Sequence, residues 1–218
     1  MDKIDLSLLD LESHYYITGF QERLNGLANY FAIMSTQVAC IESEQSKQLK
    51  KDLENVPDSW SDADQYSFIQ WRENEYQQFK STFAENFRYS FIVLVWLVIE
   101  DELKRVCVEV KRRKGLQNGN RPREISQCKQ ILKEVGGFDV KNSAHWSGID
   151  DLRKIRNCIV HTSGFVDDSI IERLNLQIDD DKRLRVSTEY CELAVQSTTE
   201  FFAEVLDGVG IKRLRSLK

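Results

Sequence analysis

The sequence predicts an all-α protein: a helical bundle carrying a long N-terminal helical extension, with one small β-hairpin before the last helix. Three observations predict this. Apolar residues recur at three- and four-residue spacing along most of the chain. Only two prolines and ten glycines interrupt 218 residues. Between Pro57 and Gly115 there is neither.

In chain order, residues 6–53 read as one long helix or two shorter ones, with Gly19 and Gly26 as possible breaks and Pro57 as the stop. Ser61 followed by Asp64 reads as an N-cap. The breaker-free stretch after it exceeds an ordinary globular helix. A split near residues 81–85 is therefore expected, giving a polar helix rich in Gln, Glu and aromatics, then an apolar helix over 87–114. "GLQNGNRP" is a loop leading to a short helix over 123–135, and "GGFDVKNSAHW" is a second loop. Ser147 with Asp150 reads as the cap of the next helix, and Gly164 as its stop. A helical piece is expected near 167–174. "LNLQIDDDKRLRVS" then alternates around three aspartates as a hairpin would. Ser187 opens the last helix, whose stripe is Tyr190, Leu193, Ala194, Phe201, Val205 and Leu206. No internal repeat or low-complexity tract is present.

With 41% apolar residues the chain can bury a real core. Its longest apolar run, "YSFIVLVWLVI" at 89–99, falls far short of the ~20 residues of a membrane span and is followed at once by "EDELKR". It reads as a buried core helix. The N-terminus lacks the basic start and cleavage site of a secretory signal, so the expectation is a cytoplasmic protein. Five cysteines without a CxxC pair argue against a disulfide framework and a zinc site and fit reduced core thiols. No metal or cofactor is expected. His14 and His145 have no ligand spacing to a second His, Cys or acidic cluster.

The net charge of −5 is unevenly spread. Residues 1–60 carry ten acids and five bases, and the rest carries 25 of each. Residues 104–123 hold Lys104, Arg105, Lys111, Arg112, Arg113, Lys114, Arg121 and Arg123 against Glu109 alone. Such a patch attracts phosphates, although cations also suit a solvated helix C-terminus.

The segment "RKIRNCIVHTSG" at 153–164 concentrates the chemistry. At about 100° per residue, Leu152, Ile155 and Ile159 form a core face. Arg156, Val160, Arg153, Asn157 and His161 share an arc of roughly 140° on the other side. Val160, apolar among polar groups, suits a face laid against another helix, though a single exposed valine is also ordinary. His161 can be a general base or acid, Arg156 offers a planar fork to phosphate, and Asn157 sits one turn before His161, where it can orient either. The ordinary structural alternatives are a helix cap for His161 and a salt bridge for Arg156.

"RNCIVH" resembles the R-x4-6-H motif of the HEPN superfamily, in which Asn often follows the Arg. The resemblance extends over about residues 82–207: the preceding apolar helix, the capped motif helix, the Gly after the His, the hairpin and the final amphipathic helix. "EDELKR" adds an E-x3-K-R arrangement similar to one in some branches, through Glu100 and Lys104, which can equally be a surface ion pair. The first 80 residues match nothing in the family core. The resemblance divides the chain into a helical extension, 1–81, and a HEPN-like domain, 82–218. It implies a metal-independent endoribonuclease in which Arg156 and His161 are catalytic and Asn157, Arg153, Glu100 and Lys104 support them. Lys111, Arg112, Arg113 and Lys114 would bind RNA. One protomer supplies half a site, so the resemblance also implies a homodimer with a composite cleft. It further implies a toxin–antitoxin or anti-phage role with an antitoxin or sensor protein as partner. The alternatives from other classes are a non-catalytic HEPN-like module binding RNA, nucleotide or protein, and a purely structural helical dimer.

Overall fold

The computed structural model describes residues 11–116, 120–166, 177–180 and 182–211, the side chains of 11–18 excepted. Among the described residues the fold has five α-helices: α1 Leu11–Glu54, α2 Asp62–Arg113, α3 Ile125–Glu134, α4 Trp146–Thr162 and α5 Thr188–Gly208, with a 3-10 turn Val140–Asn142 before α4. The chain is all-α. No described helix is long and apolar enough to cross a membrane.

The central element is α2, and it does not divide at 81–85 as its length suggested. Its 52 residues run unbroken from an N-cap in which Ser61 accepts the Asp64 N–H. The polar first half survives because α1 lies antiparallel beside it. Arg72 of α2 pairs with Asp52, and Lys80 lies 3.4 Å from Glu42. Likewise α1 is one helix, and neither Gly19 nor Gly26 breaks it. Between Val38 and Ala84 no residue is buried, so the outer part of this pair is a thin two-helix arm.

The core begins where α2 becomes apolar. Phe91, Ile92, Val95, Ile99, Leu103 and Val106 run down its inner face, met by Leu132 of α3, by Ile149, Leu152 and Ile155 of α4, and by Phe201, Phe202 and Val205 of α5. Phe20, Leu24 and Phe31 of α1 belong to the same core. Phe20 meets Phe202 with ring centroids 4.7 Å apart, and Phe31 meets Phe91 at 4.4 Å. Residue 81 therefore falls inside α2, and the first segment contributes to the core. Glu102, 1% exposed, is held there by Arg23 of α1, with Arg105 at 3.7 Å. A carboxylate this deep persists only because it is paired.

Three local expectations change. Ser147 and Asp150 do not cap α4: the helix starts at Trp146 with His145 at the N-cap position and no side-chain cap. Asp150 bonds Arg153 and Lys154 instead. Leu193 leaves the α5 stripe and is 53% exposed. It lies 200° around from buried Cys191, and Thr198 and Phe202 complete the inward row. The Ser187 cap stands as read, its hydroxyl accepting the Tyr190 N–H at 3.1 Å. The hairpin does not form strands among the described residues. Residues 182–185 split their hydrogen bonds between two short partners, leaving the isolated bridges Phe165↔Arg183 and Ile178↔Leu184. Leu184 donates its N–H to the Gly164 carbonyl at 2.8 Å while Arg185 donates to that of Gln177 at 2.7 Å. The expected helical piece near 167–174, the start of the hairpin at 174–176 and the first residues of the expected 6–53 helix lie outside the described residues.

Candidate functional site

α4 carries the motif, and its end is shaped by two left-handed residues. Ser163 takes φ 53° and Gly164 φ 85°. The Gly164 N–H reaches back to the Cys158 carbonyl at 3.1 Å, closing the helix. Gly164 also has no room for a side chain, because a Cβ would run into the Tyr89 hydroxyl and ring. That hydroxyl donates to the Leu184 carbonyl. Burial, with the Glu85 carboxylate nearby, pushes the Tyr89 phenol up to about 12. It therefore stays a donor.

On α4 itself the two faces separate much as the spacing requires. Leu152 and Ile155 are buried, Cys158 joins them, and Ile159 is half-buried at the edge. Arg156 and Asn157 are half-buried, His161 is exposed, and Val160 is 47% exposed. Arg156 donates Nη1–H to the Asn157 Oδ1 at 3.0 Å. Its Nε is shut off from solvent and has no hydrogen-bond partner. The salt bridge that would make Arg156 structural is absent among the described residues. Arg153 is committed, with Nε 3.0 Å from Asp150. Burial pushes Asp150 up, but hydrogen bonds from Lys154 and Arg153 outweigh it and hold this carboxyl below the usual range.

The other predicted residues sit elsewhere. Glu100 and Lys104 bond one another at 2.6 Å on α2. They wall an open depression of 520 Å³ with Leu97 and Arg121. No described hydrogen bond or ion pair links them to the motif. Lys111 reaches the Asn120 carbonyl at 3.5 Å, and Lys114 is the exposed C-cap of α2. Arg112 and Arg113 both donate to Glu109, at 2.8 and 2.7 Å. The Arg112 hydrogen bond leads in holding Glu109 below the glutamate range, against its burial and with Arg113 adding to the effect. The patch is thus partly neutralised in place. Val93 shares a groove with Ile159 of the motif helix, and Lys111 lies 18 residues further along α2, or about 27 Å.

That groove, 550 Å³ between α2 and the end of α4, was not visible in the sequence. Asn86, Ser90 and Leu94 form one wall and Ile159 and Ser163 the other. Arg183 closes one end and also lines an adjoining polar cavity of 170 Å³ toward Ser81 and Glu85. Nothing local marks Arg183 out, since it follows three aspartates in a basic run. Among the described residues no group of three or more His, Cys, Asp or Glu is arranged to hold a metal ion. The cysteines carry no disulfide: Cys107, Cys128, Cys158 and Cys191 are buried free thiols, and Cys40 is exposed. Scans against protein-family models, curated proteins and solved structures find no match to this chain.

Proposed function

We propose that this chain is a metal-independent endoribonuclease of HEPN type, acting as a homodimer in which two motif helices form one composite site. The observation that carries the reading is Arg156. A half-buried guanidinium with an unpartnered, desolvated Nε and no carboxylate partner among the described residues is a costly arrangement for structure alone. Its Nη donors, one of them bonded to Asn157, suit an oxyanion that arrives with substrate, the Nε being closed off. Exposed His161, at the other side of the same arc of α4, supplies proton transfer. In the reaction one His161 takes the 2′-hydroxyl proton as that oxygen attacks phosphorus, and the partner's His161 gives a proton to the departing 5′ oxygen. The products are a 2′,3′-cyclic phosphate and a 5′-hydroxyl. Arg156 offsets the charge on the non-bridging oxygens. Asn157, bonded to Arg156, fixes the guanidinium plane. Exposed Val160 lies in the middle of this face and would be covered by the partner helix. RNA is the substrate class, and an antitoxin or sensor protein would restrain the activity in toxin–antitoxin or anti-phage defence.

A second reading, a non-catalytic module that binds a protein, draws on the arm. Trp60, Tyr66 and Trp71 are 41%, 66% and 57% exposed there. Exposed aromatics on a projecting pair of helices are common in docking surfaces.

One experiment separates the two. Purified protein is incubated with total RNA in EDTA beside His161→Ala and Arg156→Ala. Wild type should leave cyclic phosphate ends. Each variant should keep its helicity and melting temperature while losing on the order of 10²–10⁴ in rate. Cleavage by both variants at the wild-type rate, or no cleavage by wild type, would sink the nuclease reading.

A further inference from the structure

We infer that Arg183 and the groove between α2 and α4 form a phosphate-holding subsite, which binds the RNA backbone flanking the scissile bond; this rests on the ribonuclease reading above. The arginines around it are spoken for. Arg88 bonds Glu85 at 2.8 Å, and Arg185 lies 3.5 Å from Glu85 and 3.3 Å from Asp179. The two carboxylates facing the cavity are in turn engaged, Glu85 by these arginines and the Val186 N–H, Asp179 by Arg185 and the Arg183 N–H. Arg183 differs. Among the described residues its side chain makes no ion pair.

Its guanidinium donates Nη2–H to the Ser163 carbonyl at 3.3 Å and lies 5.3 Å over the Phe165 ring. Its Nε is out of solvent and unpartnered. These contacts hold the guanidinium in place and use one of its five donors, which leaves the remaining Nη–H groups prepositioned for phosphate oxygens. Ser163 is two residues past His161, so the fork stands at the same end of α4 as the motif histidine. Ile159, on the groove side, is 160° around α4 from His161. A strand whose scissile phosphate meets Arg156 and His161 would cross the end of α4 and continue into the groove. Between Ser81 and Leu94, the limits of the two joined cavities on α2, the path measures about 20 Å. Asn86 and Ser90 offer hydrogen bonds along it, and Leu94 and Ile159 offer apolar surface for a sugar or base.

The test uses a fluorescent single-stranded RNA that is 2′-O-methylated throughout, so that no 2′-hydroxyl can attack. Its affinity for the full chain is measured by anisotropy at several salt concentrations. Arg183→Gln should weaken binding about tenfold and flatten the salt dependence by about one ion, with melting nearly unchanged. With cleavable RNA the same change should raise KM and leave kcat close to wild type. Ser90→Trp fills the groove from an exposed position without touching the core, and should weaken binding to a similar degree. Should Arg183→Gln unfold, Ser90→Trp decides. Wild-type affinity and salt slope in a folded Arg183→Gln, or wild type failing to bind the probe, overturns the subsite. Binding through Arg183 without any cleavage by wild type would remove the nuclease and keep the subsite. Cleavage with unaltered binding by both variants would do the reverse.

Discussion

Gly164→Ala is the sharpest test of how the site is held. An L residue at φ 85° costs about 1–2 kcal/mol relative to glycine. The new methyl also meets the Tyr89 hydroxyl, so the phenol must shift and its bond to the buried Leu184 carbonyl is lost or bent. An orphaned buried carbonyl costs about 1–3 kcal/mol. Together these give about 3 kcal/mol, or about 6–12 °C in melting temperature for a chain of this size. Urea and thermal unfolding followed by far-UV circular dichroism would measure it. A double-mutant cycle then isolates the contact. Tyr89→Phe alone orphans the same carbonyl, so Gly164→Ala with Tyr89→Phe should cost less than the sum of the singles by about 1 kcal/mol. Gly164→Asn separates the two causes, because Asn accepts left-handed backbone but still carries a Cβ. It should recover the backbone share only. Additive singles, or a Gly164→Ala chain that melts with wild type, would refute the claim that Gly164 is required by Tyr89.

Three further outcomes follow from charge and burial. Glu109→Gln removes the carboxylate charge that Arg112 and Arg113 share, so RNA binding at neutral pH should tighten and its salt dependence steepen; unchanged binding would remove residues 111–114 from the RNA path. The lowered folded-state pKa of Glu109 means its ionised form stabilises the fold fully above the unfolded value of about 4.3, and that contribution is lost as pH falls through the folded one. Wild type should therefore lose more stability than Glu109→Gln on acidification below that point, and parallel acid profiles would contradict it. For the thiols, Ellman's reagent on native protein should titrate Cys40 rapidly and the four buried cysteines only after unfolding. Burial pushes the Cys191 thiol up to about 12 and leads its other influences, which slows that thiol further. Two or more fast native thiols would mean a core more open than described.

What was legible in the sequence was local. The Ser61 and Ser187 caps, the Gly164 stop and the Leu152–Ile155 face each depend on residues within a turn or two, and the structure has all of them. What was not legible crosses the chain. Residues 62–83 carry no core stripe of their own, so their helix looked separable; it continues because Asp52 and Glu42, 20 and 38 positions away, meet Arg72 and Lys80. The expected hairpin forms no strands among the described residues for the same reason. Alternation at 174–187 was real, but residues 182–185 share their backbone hydrogen bonds between 177–179 and 164–166 at the end of α4. Arg183 is carried to Ser163 by that very exchange, 20 residues back along the chain. The motif shows the same division within one residue. Its spacing placed Arg156 off the core face, whereas only the packing of α4 shows Nε desolvated and unpartnered. A local pattern can therefore nominate a guanidinium, but whether it is already spent on a carboxylate is a long-range fact. By that criterion Arg153, Arg112 and Arg113 are engaged, and among the described residues at this end of α4 Arg156 and Arg183 are the guanidiniums without a carboxylate partner.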